Sequence, residues 1–235
     1  MASAPHQPDK TSNGSATSAA KARQAHAQFV DSIPEIYDTH LGPFLFEFSA
    51  RDLARRLKQV APAGIGNVLE IACGSGISTE YLSIALAPDA AIMATDLNQA
   101  MLDRAIKRRG QLENVTYQQA DALQLPFEDA SYDAAICQFG IMFFPDKNRA
   151  VNEIARVLRP GAWFTFNVWD SLANNRVIEI AYETISSFFP SDPPDFITTS
   201  FGYYQIDPIK ALLEEEGFGN IDAEVVRETV RCRSG

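Results

Sequence analysis

From residue 67 to residue 169 the chain alternates short apolar runs with amphipathic stretches. The runs "NVLEIAC" (67–73), "AAIMATDL" (90–97), "VTYQQAD" (115–121), "YDAAICQFGI" (132–141) and "AWFTFNVW" (162–169) predict strands, several of them apolar on both faces. The segments between them predict helices over 78–86, 98–109 and 148–158. In the second helix Ala100, Met101, Leu102 and Ala105 form the inner face. In the third, Val151, Ile154, Ala155 and Leu158 recur at i, i+3, i+4 and i+7, ahead of a Pro160-Gly161 stop. Upstream, helical spacing runs from Phe44 to Val60 and includes Leu53 and Leu57. Downstream come a helix near 174–189, the Pro-rich "FPSDPPDF", and a helix with Asp207 as N-cap, Pro208 at its first position and Gly217 past its end. "NIDAEVVRETVRC" (220–232) reads as a closing strand. Such alternation implies a mostly parallel, doubly wound α/β sheet. Right-handed crossovers bring the carboxyl ends of the first strands to one rim, where ligands bind at the reversal of strand order. The stretch from Asp170 to Ile206 interrupts the alternation and is placed as a cap over that rim.

The totals narrow the class. A chain of 235 residues with 46% apolar and 21% charged residues fits one globular domain. It has no apolar run of membrane-spanning length and no hydrophobic leader, and its Ser, Ala, Gln and Pro predict a disordered tail over 1–24. Thirty acidic against twenty basic side chains give a net charge of −10, which disfavours binding to nucleic acid. The one basic run, "KRRG" (107–110), reads as the solvated C-terminal end of a helix. Cys73, Cys137 and Cys232 have no metal-ligand spacing, so no metal is expected. Two of them lie in apolar strands, as buried reduced thiols do, which points to a cytoplasmic setting.

Candidate chemistry begins at Gly74-Ser75-Gly76, directly after a strand and before a helix, where bare backbone and helix N–H groups can meet a ligand. Alone, this is equally a tight turn. Three acids change the reading: Glu70 inside the first strand, Asp96 at the end of the second, and Asp121 at the end of the third. Singly, Asp96 or Asp121 would cap a helix or turn; together they suit a ligand with several donors. Asp96, 20 residues past Gly76, is spaced to accept two ribose hydroxyls, a need shared by dinucleotide and adenosyl ligands. Thr79 stands where a dinucleotide fingerprint has glycine or alanine, and Glu70 would repel a pyrophosphate but attract a cation.

With these residues assembled, the chain resembles the class I S-adenosylmethionine-dependent methyltransferases, in the branch that includes ubiquinone/menaquinone-biosynthesis C-methyltransferases. The resemblance runs from about Phe29 to Val226 and is densest in "VLEIACGSG", "ATDLNQAML", "QQADALQLPFEDASYDAAICQFGIMFFPD" and "EIARVLRPGAWF". It implies a Rossmann-like fold over 25–235, with a helical N-terminal cap at 25–60 and a cap insertion at about 170–206. It implies S-adenosyl-L-methionine as cofactor and methyl transfer to a small apolar or aromatic acceptor. Glu70, Ala72, Cys73, Gly74 and Gly76 would line the methionine part of the cofactor. Asp96 would hold the ribose, with Leu97 and Met101 against the adenine; Asp121 would bond the adenine amino group beside Ala122. Gln138 and Phe139 would border the donor methyl, and Tyr37 would fold over the cofactor. Two departures stand out: Ala72 replaces a usual glycine, with little consequence expected, and the chain ends soon after the predicted sixth strand. The family's final antiparallel strand is therefore expected to be missing or formed differently.

No residue presents itself as the general base. His40 is a weak candidate, better placed than His26, and Asp146 reads first as a helix N-cap. The aromatics of 139–144 and 188–204, with Phe44, Phe46 and Phe48, serve as core or as the wall of an apolar acceptor pocket. Two other functions remain at this level: a nicotinamide-dependent oxidoreductase, and a non-catalytic adenosyl-binding protein.

Overall fold

Strands that are apolar on both sides need cover on both sides, and the architecture provides it. The computed structural model describes residues 35, 37–60, 64–86, 89–189 and 195–229; the predicted tail over 1–24 lies outside them. Five strands, β1 (Asn67–Ile71), β2 (Ala91–Asp96), β3 (Val115–Gln119), β4 (Tyr132–Gln138) and β5 (Leu158–Asn167), pair in parallel in the order β3-β2-β1-β4-β5. The helices are α1 (Glu47–Val60), α2 (Ile77–Ala85), α3 (Gln99–Arg109), α4 (Lys147–Val157), α5 (Arg176–Phe188), α6 (Asp195–Ser200) and α7 (Ile206–Glu215). A wide π-helix, Tyr37–Phe46, leads into α1 and contains Pro43.

Strand alternation assigns the two faces. Val68, Ile92, Ala134 and Ile136 pack against Leu53, Ala54 and Leu57 of α1 and Leu82 of α2. Their neighbours in sequence, Leu69, Ile71, Ala135 and Cys137, point the other way, onto Val151 and Ile154 of α4 and Leu212 and Leu213 of α7. Leu102 of α3 covers Ala94 and Cys73. Each large side chain buried in this way contributes about 1.5–3 kcal/mol. β1 lies between β2 and β4, so the chain leaves β1 toward one edge and β4 toward the other. Their carboxyl ends part at this point and open a crevice.

The structure moves several predicted boundaries. β3 ends at Gln119, which leaves Asp121 two residues beyond it in an isolated bridge to Gln124. β5 begins at Leu158, directly after α4; Pro160 and Gly161 fall within an irregularity of its register against β4 and do not form a separate loop. Gln205 is the N-cap of α7, and Asp207 sits in its first turn. At the other end Gly217 N–H bonds the Glu214 carbonyl at 3.1 Å and Phe218 N–H the Leu213 carbonyl at 2.9 Å, a paired C-terminal cap. α6 was not predicted, because prolines dominate the sequence around it.

The expected closing strand is not formed over its described residues, 220–229. A strand needs an edge to pair with, and an open groove of about 1810 Å³ separates this stretch from β5 and α1. Val225 and Val226 stay exposed, and the Arg56–Glu224 ion pair at 2.7 Å ties the stretch to α1. Among the described residues the sheet is therefore five-stranded and wholly parallel.

Close packing at the crevice is strict. A Cβ on Gly140 would stand 2.6 Å from Ala72 Cβ and 2.7 Å from Cys137 Sγ, where neither neighbour can yield. Gly140→Ala is expected to lower unfolding free energy by about 3 kcal/mol in denaturant titrations. Gly219→Ala, where a Cβ meets nothing within 4 Å, is the control and is expected to be near neutral.

Candidate active site

At the carboxyl end of β1 the chain must turn within a few residues to enter α2. It does so with Ala72, Gly74 and Gly76 at φ of 55°, 56° and 83°. Ala72, and Phe139 at the end of β4 (φ 50°), are non-glycine residues held in the left-handed region, at about 1–2 kcal/mol each. Both flank the crevice, so the alanine in place of a usual glycine does have a consequence: stored strain at the site.

Glu70 is fully buried. Its Oε1 accepts from the Ser78 hydroxyl and its Oε2 from the Thr79 hydroxyl at 2.6 Å. Burial pushes its carboxyl up to about 7, against the two hydroxyl bonds that favour the charged form. Glu70, expected beside the methionine part of the cofactor, turns its oxygens to the first turn of α2, directly behind the glycine loop. Ser78 and Thr79 are polar because this carboxyl needs them.

Gly76 is needed for packing as well. A Cβ there would lie 3.0 Å from Arg109 Cδ and 3.2 Å from Ala105 Cβ, so the missing side chain makes room for α3. Gly74 differs: its N–H donates to Asp96 Oδ2 at 2.8 Å, and a Cβ there would meet the Met101 methyl at an ordinary 3.4 Å. Asp96 Oδ1 accepts the Asn98 N–H at 2.8 Å, while Asn98 itself caps α3 by accepting from Ala100 and Met101. Asp96 is thus held by the glycine loop and the helix start together. Asp121 forms an Asx-type turn, accepting Leu123 N–H at 2.9 Å beside buried Ala122.

A second anchor was missed. Asp38, its side chain wholly buried, pairs with Arg109 and Arg104 at 3.1 Å each and Arg108 at 3.4 Å, and accepts from the Ser75 hydroxyl at 3.3 Å. Arg109 also donates to the Ser75 carbonyl at 2.9 Å and pairs with Glu80 at 3.0 Å. The "KRRG" run is therefore not simply a solvated helix end: Arg109 is buried and Arg104, one turn back, joins it. The signal was present in the acid of "YD" and in arginines at 104 and 108, four apart on one helix face. The side chain of Tyr37 lies outside the described residues.

Beyond the glycine loop the walls are aromatic. Phe139 stacks on Trp169 at 4.1 Å and 3°, Phe46 tilts onto both rings at 6.0 and 6.2 Å, and Phe201 stacks on Trp169 at 5.5 Å. Phe46, Ala72, Cys73, Gly74, Gln138 and Phe139 are among the residues that line a cavity of about 30 Å³. Gln138 donates to the Phe46 carbonyl at 3.3 Å, and its Oε1 is enclosed without a partner. Leu97 is half-buried beside Asp96; His40 is exposed on the π-helix, and Asp146 caps α4 by accepting Arg149 N–H at 3.0 Å. Among the described residues no group of His, Cys, Asp or Glu could hold a metal, and no helix is long and apolar enough to cross a membrane. The Cys73 and Cys137 thiols are buried, and burial pushes the Cys137 thiol up to about 12.

A methyltransferase-domain family model matches residues 69–166. Over 166 residues the chain is 30% identical to the demethylmenaquinone methyltransferase of Lactobacillus johnsonii, covering 65% of this chain and 68% of that protein. The chain belongs to the class I S-adenosylmethionine-dependent methyltransferases of the menaquinone/ubiquinone type. The Staphylococcus aureus demethylmenaquinone methyltransferase is 32% identical over 142 residues, 60% of this chain and 58% of that protein. Two solved structures share the fold. A phosphoethanolamine N-methyltransferase from Haemonchus contortus, bound to S-adenosylhomocysteine, superimposes with a TM-score of 0.61 at 19% identity over 83% of this chain and 43% of that one. An S-adenosylmethionine-dependent methyltransferase from Thermotoga maritima gives 0.51 at 20% identity over 79% and 81%. This methyltransferase uses S-adenosylmethionine, and the oxidoreductase and non-catalytic readings are not favoured.

Two outcomes test the anchors. Because the folded pKa of Glu70 exceeds the ordinary 4.5, the native state binds its proton more tightly. That contribution is complete below about pH 4.5 and is lost as pH rises toward about 7, of order 3 kcal/mol. Glu70→Gln should flatten the pH dependence of unfolding free energy across this window and be the more stable form at high pH. Asp38→Ala should cost about 3–5 kcal/mol by removing the buried carboxylate shared by Arg104 and Arg109, and adding Arg109→Met should restore part of it in the same assay.

Proposed function

We propose that this methyltransferase transfers the donor methyl to a small, apolar, aromatic acceptor, quinone-like in shape, in the cytoplasm and without nucleic acid as substrate. The carrying observation is the Phe139–Trp169 stack, with Phe46 and Phe201, directly past the glycine loop. Flat apolar walls suit a flat apolar ring. The relatives named as demethylmenaquinone methyltransferases support the same acceptor class.

The residues fit an adenosyl donor. Asp96, fixed by two backbone N–H groups at 2.8 Å, would accept the ribose hydroxyls. Leu97 and Met101 would flank the adenine, with Asp121 and Ala122 at its edge. Ala72, Cys73 and Gly74 would border the methionine portion, and Gln138, whose Oε1 is enclosed without a partner, would meet a donor group there. Glu70 would hold the loop that borders the methionine portion through Ser78 and Thr79, and Tyr37 would close over the ligand from the N-terminal cap, 25–60. When bound, the cofactor supplies an activated sulfonium methyl. The chain's own work is alignment of the acceptor in line with it and exclusion of water, the latter by Phe46 and the cap at about 170–206.

Calorimetry should show binding of S-adenosylmethionine and none of NAD, and Asp96→Ala should weaken the former at least tenfold. Unchanged affinity would remove the ribose assignment. Release of S-adenosylhomocysteine with reduced naphthoquinones, and not with polar amines, tests the acceptor class.

A further inference from the structure

Among the described residues, four enclosed side-chain atoms lack a hydrogen-bond partner, and one of them, Tyr203 Oη, has no role in holding the cofactor. Tyr203 follows α6 in the cap stretch, and its ring packs against the cluster of Phe46, Phe139 and Met142. That cluster shares Phe46 and Phe139 with the small cavity at the glycine loop. The ammonium of Lys147, held by the Phe144 carbonyl at 3.0 Å, stands 4.9 Å from the centre of the Tyr203 ring. Tyr203 also packs against the cluster that holds Val151 and Leu212, so its buried hydroxyl has a donor hydrogen and acceptor lone pairs that these apolar surroundings do not match. Removing a hydroxyl from water without a partner is unfavourable, so a residue serving only as packing would be met equally well by phenylalanine.

We infer that Tyr203 is the polar contact of the acceptor pocket: its hydroxyl hydrogen-bonds an oxygen on the acceptor ring, which selects phenols and quinols over bare aromatic hydrocarbons. This rests on the aromatic-acceptor reading above. The neighbouring Lys147 cation favours electron density on that oxygen and polarises the same contact. Tyr203 comes from the cap and Phe139 from the sheet, so a hydroxylated ring bridges the two parts of the site.

The test is equilibrium dialysis of the full chain, saturated with S-adenosylhomocysteine, against 1-naphthol and naphthalene. The wild type is expected to bind 1-naphthol at least tenfold more tightly. Tyr203→Phe is expected to bind the two within threefold of each other, with unchanged affinity for S-adenosylhomocysteine and an unfolding midpoint no lower than wild type. If neither ring binds the wild type, the aromatic-acceptor reading fails and takes this assignment with it. If both rings bind the wild type equally, or if Tyr203→Phe keeps the tenfold preference, Tyr203 is not the contact and the broader reading stands. A Tyr203→Phe protein that does not fold overturns the assignment too, because the hydroxyl would then be structural.

Discussion

One buried carboxyl sets the geometry of the crevice. Glu70 lies in the middle strand of the sheet with no exposed surface, and its oxygens meet the hydroxyls of Ser78 and Thr79 in the first turn of α2. A carboxyl in that position must be bonded, so the first turn of α2 must return to within reach of β1. Only a short loop with left-handed residues makes that return, and Ala72, Gly74 and Gly76 supply it. The placement of Gly74 N–H against Asp96, and hence the aim of Asp96, follows from the same constraint.

The loop is fixed from its other side by charge. Asp38 reaches it through the Ser75 hydroxyl, and Arg109 through the Ser75 carbonyl, so the π-helix, the loop and α3 share one ion-pair network. A network of this kind holds a segment in register without filling the site with apolar mass. Beside the loop lies a cavity of about 30 Å³, with room for a water molecule or two. Phe46, at the end of that π-helix, forms one of its walls.

The chemistry asks little else of the protein. The donor arrives activated, so rate comes from alignment and dryness rather than from a strong base. A crevice rimmed by carboxylates and walled by stacked rings fits a cationic donor and a flat acceptor, and the exposed His40 has no part in the enclosed wall.

Periodicity alone determined the alternating strands and helices, because strands apolar on both faces can only be the inner strands of a covered parallel sheet. It also located the rim, since crossover handedness leaves the carboxyl ends of β1, β2 and β4 together. Asp96 was legible for the same reason: its spacing from the glycines is a backbone property. What the sequence did not determine was which polar residues pair with one another. Glu70 meets the hydroxyls of Ser78 and Thr79, Gly76 leaves room for Arg109, and "KRRG" looked solvated although Arg109 meets Asp38, 71 residues away in the chain. Strand 220–232 followed the right local pattern yet did not form over its described residues, because a strand depends on an edge within reach. Local spacing encodes periodicity and turns; partnership between distant charges and distant edges exists only once the chain has folded.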